Sequence, residues 1–230
     1  MQYLKPFLFF VQKPGGWNNV LFTSLCVLIP IVGPIILLGY RSEMAEDLER
    51  DPDLEAHPNF DFNRFADYLS RGVWPFVAQL VITVLLMAGY GFAVVVGFGL
   101  GALTNEPIVG IIIGGFIYVL VSFLGMLLMW PLELYTQLRA KFEFGKSIAF
   151  TSRFLRTVGG QSVIALIVHM AISFVLIFVG MLACFVGVYP AAVISAMAQQ
   201  HYMAQLYRIY LDEGGEPITS ALDQIEFADE

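Results

Sequence analysis

The fold depends on an apolar run that two prolines interrupt, residues 27–40, VLIPIVGPIILLGY. Pro30 and Pro34 have no N–H to donate, so two carbonyls one turn earlier lose their helical partners, and Gly33 gives the chain freedom to turn. Such carbonyls are tolerated at membrane depth only when they are buried in protein or line water. The pattern therefore predicts a helix break at Pro30, Gly33 and Pro34, as a re-entrant hairpin or a strongly kinked span, and favours the hairpin.

The composition around this run is that of an integral membrane protein. Hydrophobic residues make up 58% of the 230 residues and charged residues 13%, against about 25% charged in soluble proteins. The net charge of -7, with only 12 lysines and arginines, argues against a nucleic-acid partner, because phosphate binding needs clustered basic residues. We expect the lipid bilayer to be the main surroundings of this chain.

Apolar runs near the length of a membrane span, about 20 residues, recur along the sequence. They lie at roughly 20–40, 75–103, 107–132, 162–188 and 190–210. These runs predict an all-α fold, a polytopic transmembrane bundle of four to five membrane segments. A single transmembrane domain would cover residues 1–211, and an acidic, flexible C-terminal tail would cover 212–230.

The second and third runs are separated only by residues 104–107, TNEP, which indicates a tight antiparallel helical hairpin. Gly97 and Gly101 in one helix, and Gly110 and Gly114 in the other, have the spacing that lets two helix backbones approach closely. We favour packing between these two helices over a dimer face. A homo-oligomer or another membrane protein nevertheless remains a plausible partner.

The distribution of basic residues predicts the orientation. The loops 41–71 and 133–160 contain four and five lysines or arginines, and the turns between the other runs contain none. By the positive-inside rule both long loops and the C-terminus are cytoplasmic, which predicts a multi-pass protein of the cytoplasmic (inner) membrane. If residues 20–40 form a hairpin, the N-terminal Lys5 and Lys13 are cytoplasmic as well.

A short pattern recurs in the two long loops at an offset of 82 residues, as FDFNR at 60–64 and FEFGK at 142–146. Each copy is followed by an amphipathic pattern, and we expect two cytoplasmic interfacial helices, the first ending at Gly72 and the second at Gly159 and Gly160. Together these features suggest a parallel internal repeat. Its half-units would be about 17–103 and 107–188, followed by a helix at 190–211.

Polar residues in the apolar runs are the candidates for function. His201, Gln205, Arg208 and Asp212 share one helix face, where they could carry a proton or an anion, although a solvated helix end is the favoured interpretation. His169, in the middle of a span, could relay protons or bind a metal, but we favour an interhelical hydrogen bond. Glu133 is expected to pair with Arg139 or Lys141.

One family resemblance rests on Trp17, on IPIVGPIILLGY at 29–40, on MAEDLERD at 44–51 and on HPNFDFNRFADYLSRGVWPFV at 57–77. With these motifs the chain resembles the multi-pass membrane family named domain of unknown function 4013, over about residues 15–210. The resemblance implies a prokaryotic cytoplasmic-membrane protein. It implies no activity and no functional residues.

The sequence contains no nucleophile elbow, phosphate-binding loop, zinc-protease motif or dinucleotide fingerprint. We therefore predict no catalytic residues, no metal and no cofactor, and a non-enzymatic structural, assembly or regulatory role in the membrane. The alternative is a channel or transporter for a small solute or ion, which the repeat, the glycines and the polar stripe on the last helix would suit.

Overall fold

The structure, a computed structural model, describes residues 1–12, 15–51, 57–183 and 185–218, and this part of the chain is helical without strands. Most of the predicted acidic tail, residues 219–230, lies outside the described residues. A 3₁₀ turn, Phe62–Arg64, leads directly into the fourth helix. The helices are α1 Lys5–Gln12, α2 Gly16–Val27, α3 Val32–Arg50, α4 Phe65–Thr104, α5 Pro107–Arg139, α6 Phe144–Leu182 and α7 Val188–Asp212.

The proline-containing run folds as a helical hairpin. Helix α2 ends at Val27 and α3 begins at Val32, and Ile31 in the turn between them has a left-handed φ of 66°. Pro34 lies in the first turn of α3, where a backbone N–H has no intrahelical partner. Gly33 packs so closely on the end of α2 that a Cβ there would collide with the carbonyl oxygen of Cys26.

The start of α2 and the middle of α3 lie side by side, at the same distance from the turn that joins the two helices. The amide Nδ2 of Asn19 in α2 donates to the carbonyl oxygen of Pro58 at 3.1 Å, and the hydroxyl of Tyr40 in α3 donates to the same oxygen at 2.8 Å. Asn19 and Tyr40 are each eight residues from the nearest end of the turn, so the arms run antiparallel over about 12 Å. The start of α2 therefore lies beside the loop that follows α3.

Helices α3 and α4 cross where glycines allow contact between their backbones. A Cβ at Gly39 would collide with the carbonyl oxygen of Tyr68, and one at Gly72 would collide with that of Ile35. The prediction that a helix ends at Gly72 is wrong, because Gly72 serves this contact and α4 continues through Pro75 to Thr104. The expected first interfacial helix is the beginning of α4.

The second expected interfacial helix is likewise joined to the segment that follows it. Helix α6 runs from Phe144 to Leu182 through Gly159 and Gly160, with a kink at Val158, whose φ is −116° and ψ is 21°. The prediction that a helix ends at these glycines is therefore wrong, since the helix bends before them and continues. Pro75 inside α4 and the kink at Val158 in α6 lie at positions that correspond, within one residue, under the 82-residue offset.

The two copies of the repeated pattern have similar local contacts. Phe60 and Phe62 meet edge to face with ring centroids 5.2 Å apart, and Phe142 and Phe144 do so at 6.2 Å. Both pairs directly precede or begin a long helix. The superposition of the half-units 17–103 and 107–188 stays a prediction.

Three helical segments are long and apolar enough to cross a membrane: Phe62–Thr104, Pro107–Arg139 and Phe144–Leu182. Within the described residues, neither the α2–α3 hairpin nor α7 is among them. Most of the apolar surface of the three segments is not covered by the rest of the chain. The fold is thus all-helical with three long apolar helices, fewer than the four to five membrane segments expected from the sequence.

Helices α4 and α5 form the predicted hairpin, and small residues line its interface. A Cβ added to Gly97 would lie 2.9 Å from the carbonyl oxygen of Gly110, and one added to Gly114 would lie 3.0 Å from that of Ala93. Gly101 faces Pro107 and Gly110 at ordinary contact distance. The four predicted glycines therefore pack the two arms of one hairpin against each other.

The hydrophobic core lies at the end of the molecule where α3 and α7 meet α5 and α6. Its largest fully buried side chains include Tyr40, Tyr68, Phe150, Tyr202 and Tyr210. Helix α7 is packed against α1, α2, α3 and α6, and its second half is buried almost completely. The α4–α5 hairpin projects away from this core.

Candidate functional site: a buried polar centre

A charge pair lies inside the helical core. Glu133 is the first charged residue of α5 and is 0% exposed, and Arg41 of α3 is 3% exposed. Nη1 of Arg41 lies 2.8 Å from Oε1 of Glu133. Burial of either charge alone would be costly, and the pair neutralises both within the core.

The expected pairing of Glu133 with Arg139 or Lys141 is wrong. Arg139 lies 3.6 Å from Glu143 instead. Because α5 is a continuous helix, a side chain six residues after Glu133 emerges on a different face, and only residues three or four apart are neighbours. Arg41 reaches Glu133 because the crossing at Gly39 and Gly72 brings α3 into the core.

Three glutamine amides complete the surroundings of the Glu133 carboxylate. Their Nε2 groups donate to its oxygens from Gln79 of α4 at 3.3 Å, Gln137 of α5 at 3.1 Å and Gln199 of α7 at 3.4 Å. Four helices thus contribute one guanidinium and three amides to a single carboxylate. Such hydrogen bonds to a charged group are stronger than those between neutral groups.

The Arg41 guanidinium keeps spare donor groups. Nε and Nη2 are buried and make no hydrogen bond within the described part of the chain, and neither does either side-chain amide atom of the fully buried Gln200. Buried polar groups usually have partners. This centre can therefore offer N–H donors to a small anion or polar group.

His169 lies in a neighbouring polar cluster between α6 and α7. Its Nε2 is 3.5 Å from the hydroxyl of Ser173 and 3.4 Å from that of Ser195, and the two hydroxyls are 2.5 Å apart. The imidazole ring stacks on Phe7 and meets Trp130 edge-on, at centroid distances of 5.8 and 5.4 Å. These contacts make His169 a link between the two helices.

The predicted stripe on α7 faces the interior over most of its length. His201 and Gln205 are buried rather than solvated, because the N-terminal residues and α1 cover this face of α7. The amide Nε2 of Gln205 donates to Nδ1 of His201 at 3.1 Å, and its Oε1 accepts the backbone N–H of Gln2 at 2.8 Å. The favoured interpretation of a solvated helix end is therefore wrong for these two residues.

The third residue of the stripe, Arg208, lies at the end of α3. Arg208 donates to the carbonyl oxygen of Leu48 at 3.4 Å and to that of Asp51, which satisfies carbonyls that have no partner at a helix C-terminus. Asp212 is exposed at the end of α7. The four residues therefore have separate surroundings: Gln205 binds the N-terminal segment, His201 contacts Gln205 and the ring of His57, Arg208 caps α3 and Asp212 faces outward.

Sequence reasoning missed the residues around Glu133, namely Arg41, Gln79, Gln137 and Gln199. A signal was present, because Glu133 is the first charge in an otherwise apolar helix and Arg41 directly follows the proline-containing run. Opposite charges at the ends of two apolar runs are candidates for a buried pair. The glutamines carry no such signal, since only the fold brings them to the carboxylate.

The fold and this centre define the class of the molecule: an all-helical membrane protein whose core neutralises a charge pair between its helices. The chain belongs to the family described as Protein of unknown function (DUF4013), which matches residues 22–185. The match extends from α2 to beyond the end of α6 and includes both residues of the charge pair. Comparison with curated proteins and with solved structures gives no significant match.

Proposed function

We propose that the protein is a non-enzymatic structural, assembly or regulatory component of the cytoplasmic membrane of a prokaryote. The observation that carries the proposal is the contrast between two parts of the fold. The core is tightly packed, whereas the rest of the chain leaves the apolar surface of the α4–α5 hairpin uncovered. Cavities inside the core, beside Trp130 and beside Arg208, have volumes of only about 10 and 30 Å³, room for about one water molecule each.

The hairpin offers the surface for assembly. On α4 and α5, large side chains such as Phe98 (79% exposed) and Ile111 (72% exposed) point away from the core. Between the arms an apolar groove of about 660 Å³ runs along the glycine interface, from Tyr118 to Pro107. A surface of this length and composition fits the bilayer interior and neighbouring transmembrane helices.

We also propose an orientation. The α2–α3 hairpin enters the membrane and returns, α4, α5 and α6 cross it, α7 brings the chain back, and the N-terminus, both long loops and the C-terminus are cytoplasmic. Contacts of Gln2 with Gln205, and of Asn19 with Pro58, support this arrangement, because they hold the N-terminal segment at the end of the bundle where the loop after α3 lies. All twelve lysines and arginines are then on the positive-inside face.

Photo-crosslinking in native membranes tests the assembly role. A photoreactive amino acid at Phe98, on the exposed hairpin, is expected to yield adducts with a second copy or with another membrane protein. The same probe at Trp130, which is buried in the core, should give only intramolecular products. Adducts of Phe98 with lipid alone would contradict an assembly role.

The second candidate, a channel or transporter, is favoured by one observation, the buried carboxylate of Glu133 with its neighbouring N–H donors. Ionisable groups at membrane depth commonly mark ion or substrate pathways. Purified protein in liposomes, assayed for proton, potassium and glycerol flux, separates the two candidates. We expect no flux above protein-free liposomes; a saturable flux that Glu133→Gln abolishes would establish transport and overturn the structural role.

A further inference from the structure

A second polar site lies at the surface, where α5 ends and α6 begins. A cleft of about 420 Å³ opens there between the two helices and residues 216–218. Its polar wall consists of Tyr135, Arg139, Lys146 and Arg153, and its apolar wall includes Phe150 and Ile218. None of these residues belongs to the polar centre around Glu133.

The sequence segment around the cleft carries a net positive charge. Residues 134–160 contain five lysines or arginines and a single acid, Glu143. Glu143 lies 3.1 Å from Nζ of Lys146 and 3.6 Å from Nη2 of Arg139, and it accepts the hydroxyl of Tyr135 at 3.4 Å. The hydrogen bond from Lys146 is the main cause that lowers the pKa of the Glu143 carboxyl below its ordinary value. Glu143 therefore stays ionised and positions two cations along the cleft.

The remaining cation, Arg153, is held by the C-terminal segment. Its Nη1 lies 2.7 Å from Oε2 of Glu216, and both side chains are about half exposed or more. Two residues on, the backbone N–H of Ile218 donates to the hydroxyl of Tyr207 at 2.6 Å, and the Ile218 side chain is buried. The anchored segment thus presents one carboxylate to the cleft, where an anionic ligand would meet the same arginine.

The location fits the membrane border. Helix α5 is apolar from Pro107 to Leu132, and its first basic residue is Arg139. Basic residues directly after an apolar helix reach the level of lipid headgroups, and basic pockets between such helices bind phosphate-bearing headgroups. The apolar wall of the cleft suits the glycerol and upper acyl region beside the phosphate.

We propose that this cleft binds the phosphate of an anionic lipid headgroup, and that Glu216 competes with the phosphate for Arg153. Arg139 and Lys146, on the same polar wall as Arg153, face the same phosphate. The C-terminal segment then regulates the site, since its carboxylate holds the arginine until an anionic lipid displaces it.

The test uses the full chain in detergent micelles, with dioctanoyl-phosphatidylglycerol as probe and thermal unfolding and native mass spectrometry as readouts. Dioctanoyl-phosphatidylcholine, which has no net charge, is the control lipid. Arg153→Gln should weaken binding of the anionic lipid about fivefold, the contribution of one basic residue at an anionic surface. Arg156→Gln is the matched control, because Arg156 is an exposed base on the same helix outside the cleft.

The variant Glu216→Gln distinguishes competition between Glu216 and the phosphate from a purely structural role of the C-terminal segment. Removal of the competing carboxylate should tighten binding several-fold, with no loss of thermal stability in the absence of lipid. Inorganic phosphate distinguishes the source of the anion: displacement of the lipid by millimolar phosphate indicates a site for the phosphate group itself, and no displacement indicates a headgroup site that needs the lipid body. Equal binding of both lipids, equal weakening by Arg156→Gln, or weaker binding in Glu216→Gln would overturn the proposal.

Discussion

Nη1 of Arg41 lies 2.8 Å from Oε1 of Glu133, and both side chains are almost fully buried. This contact joins the α2–α3 hairpin to α5, the second of the three long apolar helices in sequence order. It also explains how an apolar core contains a carboxylate, since the guanidinium and three glutamine amides replace the water that the carboxylate loses on burial.

We first predict that removal of one member of the Arg41–Glu133 pair lowers the stability of the protein far more than removal of both members. Glu133→Ala leaves the guanidinium buried without a counter-charge and should lower the free energy of unfolding by about 3–5 kcal/mol. The double variant Arg41→Met with Glu133→Leu replaces the pair by apolar groups of similar size and should recover most of that loss. Chemical unfolding in micelles measures both values.

Arg71→Gln provides the control for this comparison. Arg71 pairs with Glu46 at 2.9 Å but is partly exposed, so its loss should cost no more than about 1 kcal/mol. A double variant as unstable as Glu133→Ala would show that the network depends on features other than charge compensation.

The second prediction concerns the link between α2 and the loop that precedes α4. Asn19 donates to the carbonyl oxygen of Pro58 and accepts the backbone N–H of Phe60 at 2.9 Å. Asn19→Ala leaves both backbone groups without these partners, which should cost about 1–3 kcal/mol and speed hydrogen exchange at the Phe60 amide. The adjacent Asn18 is exposed, so Asn18→Ala should change neither; equal effects of the two variants would contradict the assigned role.

The elements set by local sequence were the ones that could be predicted. The break at Pro30, Gly33 and Pro34, the tight turn before Pro107 and the long apolar helices follow from proline chemistry and hydropathy. The helix ends expected at Gly159 and Gly160 were wrong because α6 bends at Val158 and continues, with no atom of the described residues close to a Cβ added at either glycine. The end expected at Gly72 was wrong for a different physical reason. A glycine ends a helix or permits close helix contact, and only the tertiary neighbours, here Ile35 for Gly72, decide between these roles.

Less of the candidate site than of the fold could be predicted from the sequence. Periodicity placed His201 and Gln205 on one face of α7, but it could not show that the N-terminal residues cover that face, because Gln2 and Gln205 are 203 residues apart. The partner of Glu133 was misassigned for the same reason, since Arg139 and Lys141 are close in sequence whereas Arg41 comes from another helix. Proximity in sequence is a poor guide to the partner of a buried charge.

The third prediction tests the glycine interface of the α4–α5 hairpin. Gly110→Ala places a methyl group against the carbonyl oxygen of Gly97, so the arms must separate, at a cost of about 1–3 kcal/mol. Gly99 lies in α4 with no atom within 4 Å of an added Cβ. Gly99→Ala should therefore be neutral or slightly stabilising, and a Gly110→Ala variant equally stable in thermal unfolding would show that the arms are not closely packed in the membrane.

The last prediction addresses the proline-containing run and the orientation of the chain. With Cys26 and Cys184 replaced by serine, single cysteines are placed at Lys5, at Lys141 and at Asn105, and intact cells are treated with a thiol reagent that does not cross the membrane. If α2 and α3 enter and return, Lys5→Cys and Lys141→Cys are protected and react only after the membrane is opened, whereas Asn105→Cys reacts from outside. The reason is geometric, because the contacts of Asn19 and Tyr40 with Pro58 bring both arms of the hairpin to one level. External labelling of Lys5→Cys together with protection of Lys141→Cys would show that residues 20–40 span the membrane once.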